Sequence, residues 1–278
     1  MSLAARAVPP DSPRLRALFA AYAGWYVSRH FHAVRISKAS PPPIHDTPAP
    51  LVVFLNHASW WDPLICLLLW ARWFPDRRPF APIDAAALTR YRFFERLGFF
   101  GVEGGSPRGA ATFLRRSVSL LQQPGTMLWV TPQGRFSDAR ERPLAFRPGL
   151  GHLATRCSRQ PAPFPSPPPA TGHVLSLVPL AIEYTWWHER LPEVLVRFGP
   201  PVVLPPDQKR DPELCSAACE SALEVTMDAL AQDARDRRPE AFVPLLSGRA
   251  GIGPGYDTWR RLRAWSKGRP FDARHGTL

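Results

Sequence analysis

The sequence predicts an α/β fold in which helices flank a mixed, mostly parallel sheet. Short apolar segments alternate with helical segments from Leu51 to Thr131, and this βαβα order is typical of a sheet covered on both faces. The chain has 278 residues, which is enough to bury a sizeable core within one large domain. Its hydrophobic share of 45% is ordinary for a globular protein, so the composition does not indicate disorder.

The N-terminal part, residues 1–38, is expected to contain an amphipathic helix and the first strand. The helix is predicted over Leu15–Val34, where arginines surround a series of aromatic side chains. A helix with mixed aromatic and basic faces either lies in a membrane interface or packs on the main domain, and the pattern does not decide between the two. The aromatic residues are Phe19, Tyr22, Trp25, Tyr26 and Phe31.

Apolar runs and helical periodicity define the elements of the main domain, residues 39–247. The predicted strands are Leu51–Leu55, Pro79–Ile83, Phe99–Glu103, Thr126–Thr131, Val174–Glu183 and Val194–Phe198. The predicted helices are Pro63–Phe74, Ala85–Leu97, Pro107–Gln122, Leu150–Ser158 and Glu213–Asp236. Residues 160–170 are Pro-rich and are expected to be a surface insertion, because proline lacks an N–H group and fixes φ. The tail, residues 248–278, is basic and aromatic and suits a helix that lies on the surface.

The charge of the chain narrows the class of partner. A net charge of +12 favours nucleic acid, an acidic membrane surface or a phosphorylated small molecule. The 10 tryptophans favour a lipid surface, because the indole ring suits the headgroup region, although core packing explains many tryptophans equally well. No nucleic-acid reader motif is present and the basic residues are dispersed, so we expect no nucleic-acid partner.

The apolar segments and the cysteines indicate where in the cell the protein is expected to lie. Met1–Asp11 lacks the apolar stretch of a secretory signal, and runs such as Leu64–Trp70 are too short to span a bilayer. We therefore expect a protein that lies on a membrane and does not cross it. The 4 cysteines form no C-x-x-C cluster, so we expect no metal site and a reducing compartment.

The segment that follows the strand Leu51–Leu55 carries a histidine and an aspartate five positions apart, His57 and Asp62. On one helix they would lie about 140° apart, so they meet only if His57 precedes the helix and Asp62 lies near its start. Pro63 supports a helix start here, because proline is favoured at the first helical position. A carboxylate on one imidazole nitrogen leaves the other free to take a proton from a hydroxyl. The alternative is that Asp62 is only the N-cap of the helix and His57 a turn residue.

Four segments of the sequence, in order, resemble the motifs of the lysophospholipid (glycerolipid) acyltransferase family. Asn56–Asp62 resembles its Asn-His-x-x-x-x-Asp motif, and Trp129–Gly134 resembles the strand that leads into Pro-Glu-Gly-Thr-Arg. Phe146–Gly149 resembles Phe-Lys-x-Gly, and Val178–Ala181 resembles a Val-Pro strand end that lines the site. The resemblance covers roughly residues 31–204, and ordered matches are more specific than any single motif.

The resemblance implies that residues 39–247 form an acyltransferase domain. It would transfer a fatty acyl group from acyl-CoA or acyl carrier protein to a hydroxyl of a lysophospholipid or related lipid, with no cofactor besides that co-substrate. His57 would be the general base, and Asp62 would orient it and stabilise its charge. The implied partners are the acyl donor, the lysolipid acceptor and an anionic membrane, on whose cytosolic face the protein would sit peripherally. The implied substrate contacts are Asn56, Ser59, Gln133, Gly134, Arg135, Arg147 and Pro179.

Two motifs depart from the family's pattern. The second motif, which ends Phe-Ile-Asp-Arg in the family, falls on Gly101–Gly104, so its phosphate-binding arginine is absent there. In the third motif Gln133 stands where the family has a glutamate. Two explanations of the missing arginine remain open. Either Arg135 or Arg108 supplies the guanidinium, which binds phosphate through two N–H groups, or the acceptor is a lipid other than lysophosphatidic acid. The alternative function is a catalytically degenerate, membrane-binding member of the same fold.

Overall fold

Eight strands form one continuous sheet in the computed structural model of the chain. The structure describes residues 12–43, 49–159, 175–205, 208–251, 254–268 and 270. The predicted Pro-rich insertion, residues 160–170, lies outside the described residues, as do Met1–Asp11 and most of the chain beyond residue 268.

The helices and strands alternate through the first two thirds of the chain. The strands are β1 (Ala33–Ser37), β2 (Leu51–Leu55), β3 (Arg78–Asp84), β4 (Phe99–Val102), β5 (Thr126–Val130), β6 (Ser176–Thr185), β7 (Glu193–Phe198) and β8 (Phe242–Ser247). The helices are α1 (Pro13–His30), α2 (Asp62–Trp73), α3 (Ala85–Arg90), α4 (Pro107–Leu121), α5 (Gly149–Ser158), α6 (Pro212–Asp236) and α7 (Pro254–Ser266). Short 3-10 helices cover Arg92–Leu97, Gln208–Arg210 and Pro239–Ala241.

The sheet has the strand order β4-β3-β5-β2-β6-β7-β1-β8. Neighbouring strands are parallel except for the β6–β7 and β1–β8 pairs, so the predicted mixed, mostly parallel α/β sheet is confirmed. Strand β2 lies at the centre, between β5 and β6, and is parallel to both. Because Leu55 pairs with Leu180, the last five residues of β6 continue past the end of β2. The end of β2 is therefore enclosed by β6 on one side and by the loop after β5 on the other.

Each face of the sheet carries its own apolar core, and β2 contributes to both. Leu51, Val53 and Leu55 pack against α1 and α2, whereas Val52 and Phe54 pack against α4, α5 and α6. Side chains alternate between the faces of a strand, so a continuous apolar run is what a strand covered on both faces requires. Burying each such side chain stabilises the fold by about 1.5–3 kcal/mol relative to leaving it exposed. The loop after β2 is thus attached to a rigid central strand.

The last strand, β8, was not expected from the sequence. It pairs antiparallel with β1 at the edge of the sheet and contains Pro244, which lies opposite Arg35. Proline interrupts the hydrogen bonding of a central strand but is tolerated at an edge, and this concealed the strand in the sequence. After β8 the N–H of Gly248 donates to the His32 carbonyl at 2.7 Å, which ties this segment to the end of α1.

Two predicted helices differ from the structure. The first ends at His30, because residues 33 and 34 belong to β1. The second, predicted over Ala85–Leu97, is divided: α3 ends at Arg90, Tyr91 leaves the helical conformation, and a 3-10 helix follows. Aromatic side chains lose rotamer freedom in a helix, and here they contact one another in a tilted arrangement, with ring centroids of Phe93 and Phe94 4.3 Å apart.

The N-terminal helix α1 packs on the domain and also presents apolar side chains to solvent. Its buried stripe contains Ala20, Ala23 and Val27, whereas Tyr22 and Trp25 are exposed. Helix α7 likewise exposes its aromatic side chains, and Trp265 is 81% exposed. None of the helices within the described residues is both long and apolar enough to span a bilayer.

Candidate active site

The turn after β2 is fastened to β6 by the side chain of Asn56. Its Nδ2 donates to the Ile182 carbonyl and its Oδ1 accepts from the Ile182 N–H, each at 2.9 Å. The side chain is buried, so both ends of the carboxamide are used inside the protein. Asn56 therefore anchors the turn that presents His57, and its contact with substrate stays a prediction.

His57 and Asp62 form a hydrogen-bonded pair, with 2.7 Å between Nδ1 and Oδ2. Helix α2 begins at Asp62, and His57 lies in the turn before it, as the spacing predicted. Asp62 Oδ2 also accepts from the Ser59 N–H at 3.1 Å. These donors precede the helix, so Asp62 does not act as the simple N-cap of the alternative interpretation.

The hydrogen bond between His57 and Asp62 determines which nitrogen of the imidazole carries the proton. Asp62 is 1% exposed, and its ionised carboxylate only accepts hydrogen bonds, so Nδ1 of His57 carries the proton. In the neutral ring Nε2 then holds the lone pair. The His57 side chain is 21% exposed, and no other residue within the described ranges hydrogen-bonds its ring. A histidine held in this way has the chemistry to take a proton from a hydroxyl that reaches Nε2.

The second oxygen of the Asp62 carboxylate is bonded to Tyr184 near the end of β6. The Tyr184 hydroxyl donates to Oδ1 at 2.6 Å. Burial, and next the adjacent Asp62 charge, raise the pKa of Tyr184 far above its ordinary value. The sequence analysis missed this residue. The period-two pattern of β6 could have indicated it. Side chains alternate between the two faces of a strand, so Tyr184 lies on the same face as Leu180 and Ile182, which α1 and α2 cover.

The loop after β5 encloses the His57 backbone. The N–H of His57 donates to Gln133 Oε1 at 3.1 Å, and Gln133 Nε2 donates to the Ser137 hydroxyl at 2.5 Å. The N–H of Ser137 donates back to the His57 carbonyl at 2.9 Å. Gln133 is buried and uses both ends of its amide, so it forms a clamp on the His57 backbone, and its contact with substrate stays a prediction.

Aromatic side chains flank the imidazole. The Phe136 ring centroid lies 4.2 Å from that of His57, and Phe136 is 57% exposed. Beside the same turn Trp60 stacks on Trp61 at 4.4 Å, and Trp61 contacts Phe31 at 4.9 Å. The sequence analysis did not assign Phe136 to the site. An exposed apolar surface thus leads to the histidine.

The two arginines of the predicted site, Arg135 and Arg147, differ in whether their guanidinium groups can bind an anion. The guanidinium of Arg147 lies against Gly134, where an added Cβ would be 2.7 Å from Nε. Within the described ranges no hydrogen-bond or ion-pair partner of that guanidinium is found, and Arg147 is exposed. Arg135 is ion-paired with Glu141, whose hydrogen bond raises the pKa of Arg135. Arg147 is accordingly the better placed of the two to receive an anion.

Arg108 is remote from the pair along the sheet. It lies in the first turn of α4, directly after β4, and β4 is separated from β2 by β3 and β5. Three strand spacings amount to roughly 14 Å. Arg108 is exposed, but helix α4, in which it lies, begins beside the edge strand β4, away from the His57–Asp62 pair.

The loop that carries Arg147 is held by α6. Glu220 accepts from the Ala145 N–H at 2.7 Å, and Glu224 accepts from the Leu144 N–H at 3.2 Å. The Arg147 N–H donates to the Pro132 carbonyl at 2.9 Å. Arg147 therefore has a backbone fixed on two sides and a side chain that reaches solvent.

Two further predicted contacts have structural partners. Pro179 is buried within β6 opposite Phe54, and its carbonyl accepts from the Gly199 N–H at 2.9 Å. It lies inside the sheet, one residue before the position that pairs with the end of β2, and its contact with substrate stays a prediction. The hydroxyl of Ser59 accepts from the Trp61 N–H at 3.3 Å and shapes the turn between His57 and α2.

No group of three or more His, Cys, Asp or Glu side chains that could hold a metal ion occurs within the described residues. A family model described as "Acyltransferase" matches residues 34–183, just over half of the chain, from β1 to β6. The match includes both His57 and Asp62 and the loop that carries Gln133 and Arg147. No curated protein matches the sequence.

Proposed function

Because the chain belongs to the acyltransferase family, we propose that it transfers a fatty acyl group from acyl-CoA or acyl carrier protein to a hydroxyl of a lysophospholipid or related lipid, with His57 as the base. The observation that carries the proposal is the 2.7 Å hydrogen bond between His57 Nδ1 and the buried Asp62 carboxylate. This contact leaves Nε2 as the basic nitrogen of an accessible ring.

The proposed reaction is a direct transfer. His57 Nε2 accepts the proton of the acceptor hydroxyl while the hydroxyl oxygen attacks the carbonyl carbon of the thioester. The carbon–sulfur bond then breaks, and the leaving thiolate takes the proton from the His57 imidazolium. Asp62 stabilises the imidazolium that exists between the two proton transfers, which is where its negative charge has most effect.

The cysteines of the chain support a mechanism without an acyl-enzyme. All four are buried. Burial raises the pKa of Cys157 to about 11, and burial together with the Asp62 charge raises that of Cys66, the cysteine of α2. A thiol with a raised pKa is a poor nucleophile at neutral pH. The nearby Ser137 hydroxyl bonds Gln133, and among the described residues no serine hydroxyl bonds the imidazole for His57 to activate.

Arg147 is the proposed anion contact. Its guanidinium lies against the Gly134 backbone beside the His57 loop, and Gly134 has a φ of 63°, which favours glycine. A phosphate of the acyl donor or of the acceptor headgroup would bind the two N–H groups on one edge of the guanidinium. Arg135 would contribute only after it releases Glu141.

The aromatic surface is the proposed path of the acyl chain and the membrane contact. On α1 the exposed Trp25 ring lies under the Arg29 guanidinium at 4.4 Å, and Tyr26 contacts Trp61 at 5.3 Å. Aromatic rings interspersed with arginines suit the headgroup region of an anionic bilayer. We place the protein peripherally on the cytosolic face of such a membrane, with the turn of His57 close to the lipid.

The test is thiol release from acyl-CoA and from acyl carrier protein against a panel of lysolipid acceptors. We expect release that depends on the acceptor and falls at least about a thousandfold in His57→Ala. His188→Ala is the matched control, because His188 is exposed on the loop after β6 and has no role in the proposal. Equal rates for wild type and His57→Ala, or no transfer to any acceptor, would overturn the proposal.

A second candidate is a degenerate member that binds membranes without catalysis. The replacement of the family's glutamate by Gln133 favours it, because Gln133 is fully used in the clamp on His57. Slow thioester hydrolysis that requires His57 would exclude this candidate even before an acceptor is identified. Vesicle binding without any such hydrolysis would support it.

A further inference from the structure

Tyr184 extends from β6 across the end of the central strand to the start of α2. Its hydroxyl donates to Asp62 Oδ1 at 2.6 Å, although the two residues are 122 positions apart in the chain. The ring is packed near Phe31, with centroids 5.9 Å apart. The contact thus lies in a packed environment and not on a mobile surface.

The hydrogen bonds of the Asp62 carboxylate divide between its two oxygens. Oδ2 accepts from His57 Nδ1 and from the Ser59 N–H, whereas Oδ1 accepts from Tyr184. A carboxylate buried to this degree needs donors on both oxygens, because an unpaired buried charge is strongly unfavourable. Without Tyr184 the carboxylate would turn or draw in water, and Oδ2 would no longer be held toward the imidazole.

We propose that Tyr184 is a positioning residue for the acyl-transfer reaction: by binding Oδ1 it fixes the Asp62 carboxylate so that Oδ2 holds the His57 ring in the orientation that directs Nε2 to the acceptor hydroxyl. The inference rests on the proposed function, in which His57 is the base. Tyr184 touches no reacting atom and acts only through Asp62.

The kinetic consequence follows from the moment at which Asp62 is needed. The carboxylate interacts most strongly with His57 when the ring is positively charged, between the two proton transfers. A misplaced carboxylate therefore reduces kcat more than it changes KM. For Tyr184→Phe we expect a roughly ten- to hundredfold loss of kcat, with KM changed less than about threefold.

A double-mutant cycle distinguishes positioning from a general structural effect. The four enzymes are wild type, Tyr184→Phe, Asp62→Asn and the double variant. If Tyr184 acts through Asp62, its replacement has little further effect in the Asp62→Asn background. Thr185→Val is the matched control, since it removes the neighbouring hydroxyl of β6, and we expect wild-type kcat. The Tyr184→Phe ring keeps its packing, so its thermal midpoint should stay within a few degrees of wild type.

A second readout does not need turnover. A proton NMR signal from His57 Nδ1–H, assigned by its loss in His57→Ala, should lie far downfield in wild type and move upfield or broaden in Tyr184→Phe. Additive kcat losses in the cycle, or an unchanged Nδ1–H signal, would overturn the inference. Absence of His57-dependent turnover in wild type would instead overturn the proposed function, and the NMR signal would still decide the role of Tyr184.

Discussion

The N–H of His57 donates a hydrogen bond to the side-chain carbonyl of Gln133, 3.1 Å away. The histidine is therefore held through its backbone by the loop after β5, as well as through its ring by Asp62. Two different strand ends thus determine where the imidazole lies. A base held from both sides loses little entropy when the substrate arrives, which is how preorganised sites lower an activation barrier.

Replacing Gln133 tests that backbone clamp. In Gln133→Ala the His57 N–H and the Ser137 hydroxyl lose a buried partner, so we expect a loss of about 1–3 kcal/mol in the free energy of unfolding. The kcat should fall roughly tenfold, because the imidazole is less well placed. In Gln133→Glu a carboxylate accepts from both groups, so activity should stay within about fivefold of wild type. Equal kcat in the alanine variant and wild type would show that the clamp has no catalytic importance.

Arg147 and Arg135 make a matched pair for testing the anion contact. The guanidinium of Arg147 has no partner among the described residues and should bind a substrate phosphate. Arg147→Ala should therefore raise KM about tenfold for the phosphate-bearing substrate, with a smaller change in kcat. Arg135→Ala should raise KM less than about threefold, because that guanidinium is engaged by Glu141. Initial rates over a range of each substrate give both parameters. A larger effect at Arg135 would contradict the assignment.

Glu183 should make stability depend on pH. Burial raises the pKa of its carboxyl in the folded protein, although the Arg235 charge acts in the opposite direction. The folded state then holds the proton more tightly than the unfolded state, so this residue's contribution to the free energy of unfolding falls as the pH rises from about 4, the ordinary glutamate value, through the raised value.

Glu183→Gln removes that dependence. At pH 7 and above, the variant should need more urea to unfold than wild type, and the difference should disappear toward pH 4. Urea midpoints over this range check the sign, with Glu240→Gln as the control, since it removes the same charge from an exposed position. A variant that is less stable than wild type at pH 7 would refute the expectation.

The exposed aromatic side chains of α7 should contribute to membrane binding. Trp259 and Trp265 are 51% and 81% exposed, and Arg263 lies over the Trp259 ring at 5.3 Å. Replacing both tryptophans with alanine should weaken partition onto anionic vesicles roughly tenfold, while turnover of a soluble substrate changes little. Sedimentation with vesicles measures the first effect, and Val225→Ala, an exposed apolar residue of α6, is the control. Unchanged partition would exclude α7 as a membrane contact.

The fold was predictable where the chain gives a local signal. Strand β2 occupies the predicted range Leu51–Leu55, because an apolar run that ends at a polar turn is unambiguous. Strand β8 was missed because Pro244 argues against a strand unless the strand is known to lie at an edge. Which strand lies at an edge depends on pairing across the whole sheet, and no local pattern contains that information.

The site follows the same division between local and distant contacts. The His57–Asp62 pair could be predicted, since five residues separate the partners and the helix start fixes their geometry. Tyr184 could not, since its contact with Asp62 depends on how far β6 extends past β2. The family resemblance gave the positions of Asn56 and Gln133 but not their orientation. Both side chains form hydrogen bonds inside the protein, Asn56 with Ile182 and Gln133 with His57 and Ser137.

The two hydrogen bonds between Asn56 and Ile182 should couple the loss of activity on heating to the unfolding of the domain. Because the carboxamide joins the turn of His57 to a buried residue of β6, the turn cannot fray while the strand remains intact. The amide hydrogen of Ile182 should then exchange with deuterium only when the whole domain opens, as the slowest amides of a domain do. Heat inactivation and loss of the native core would occur together, so residual activity after heating would report the fraction of molecules that are still folded.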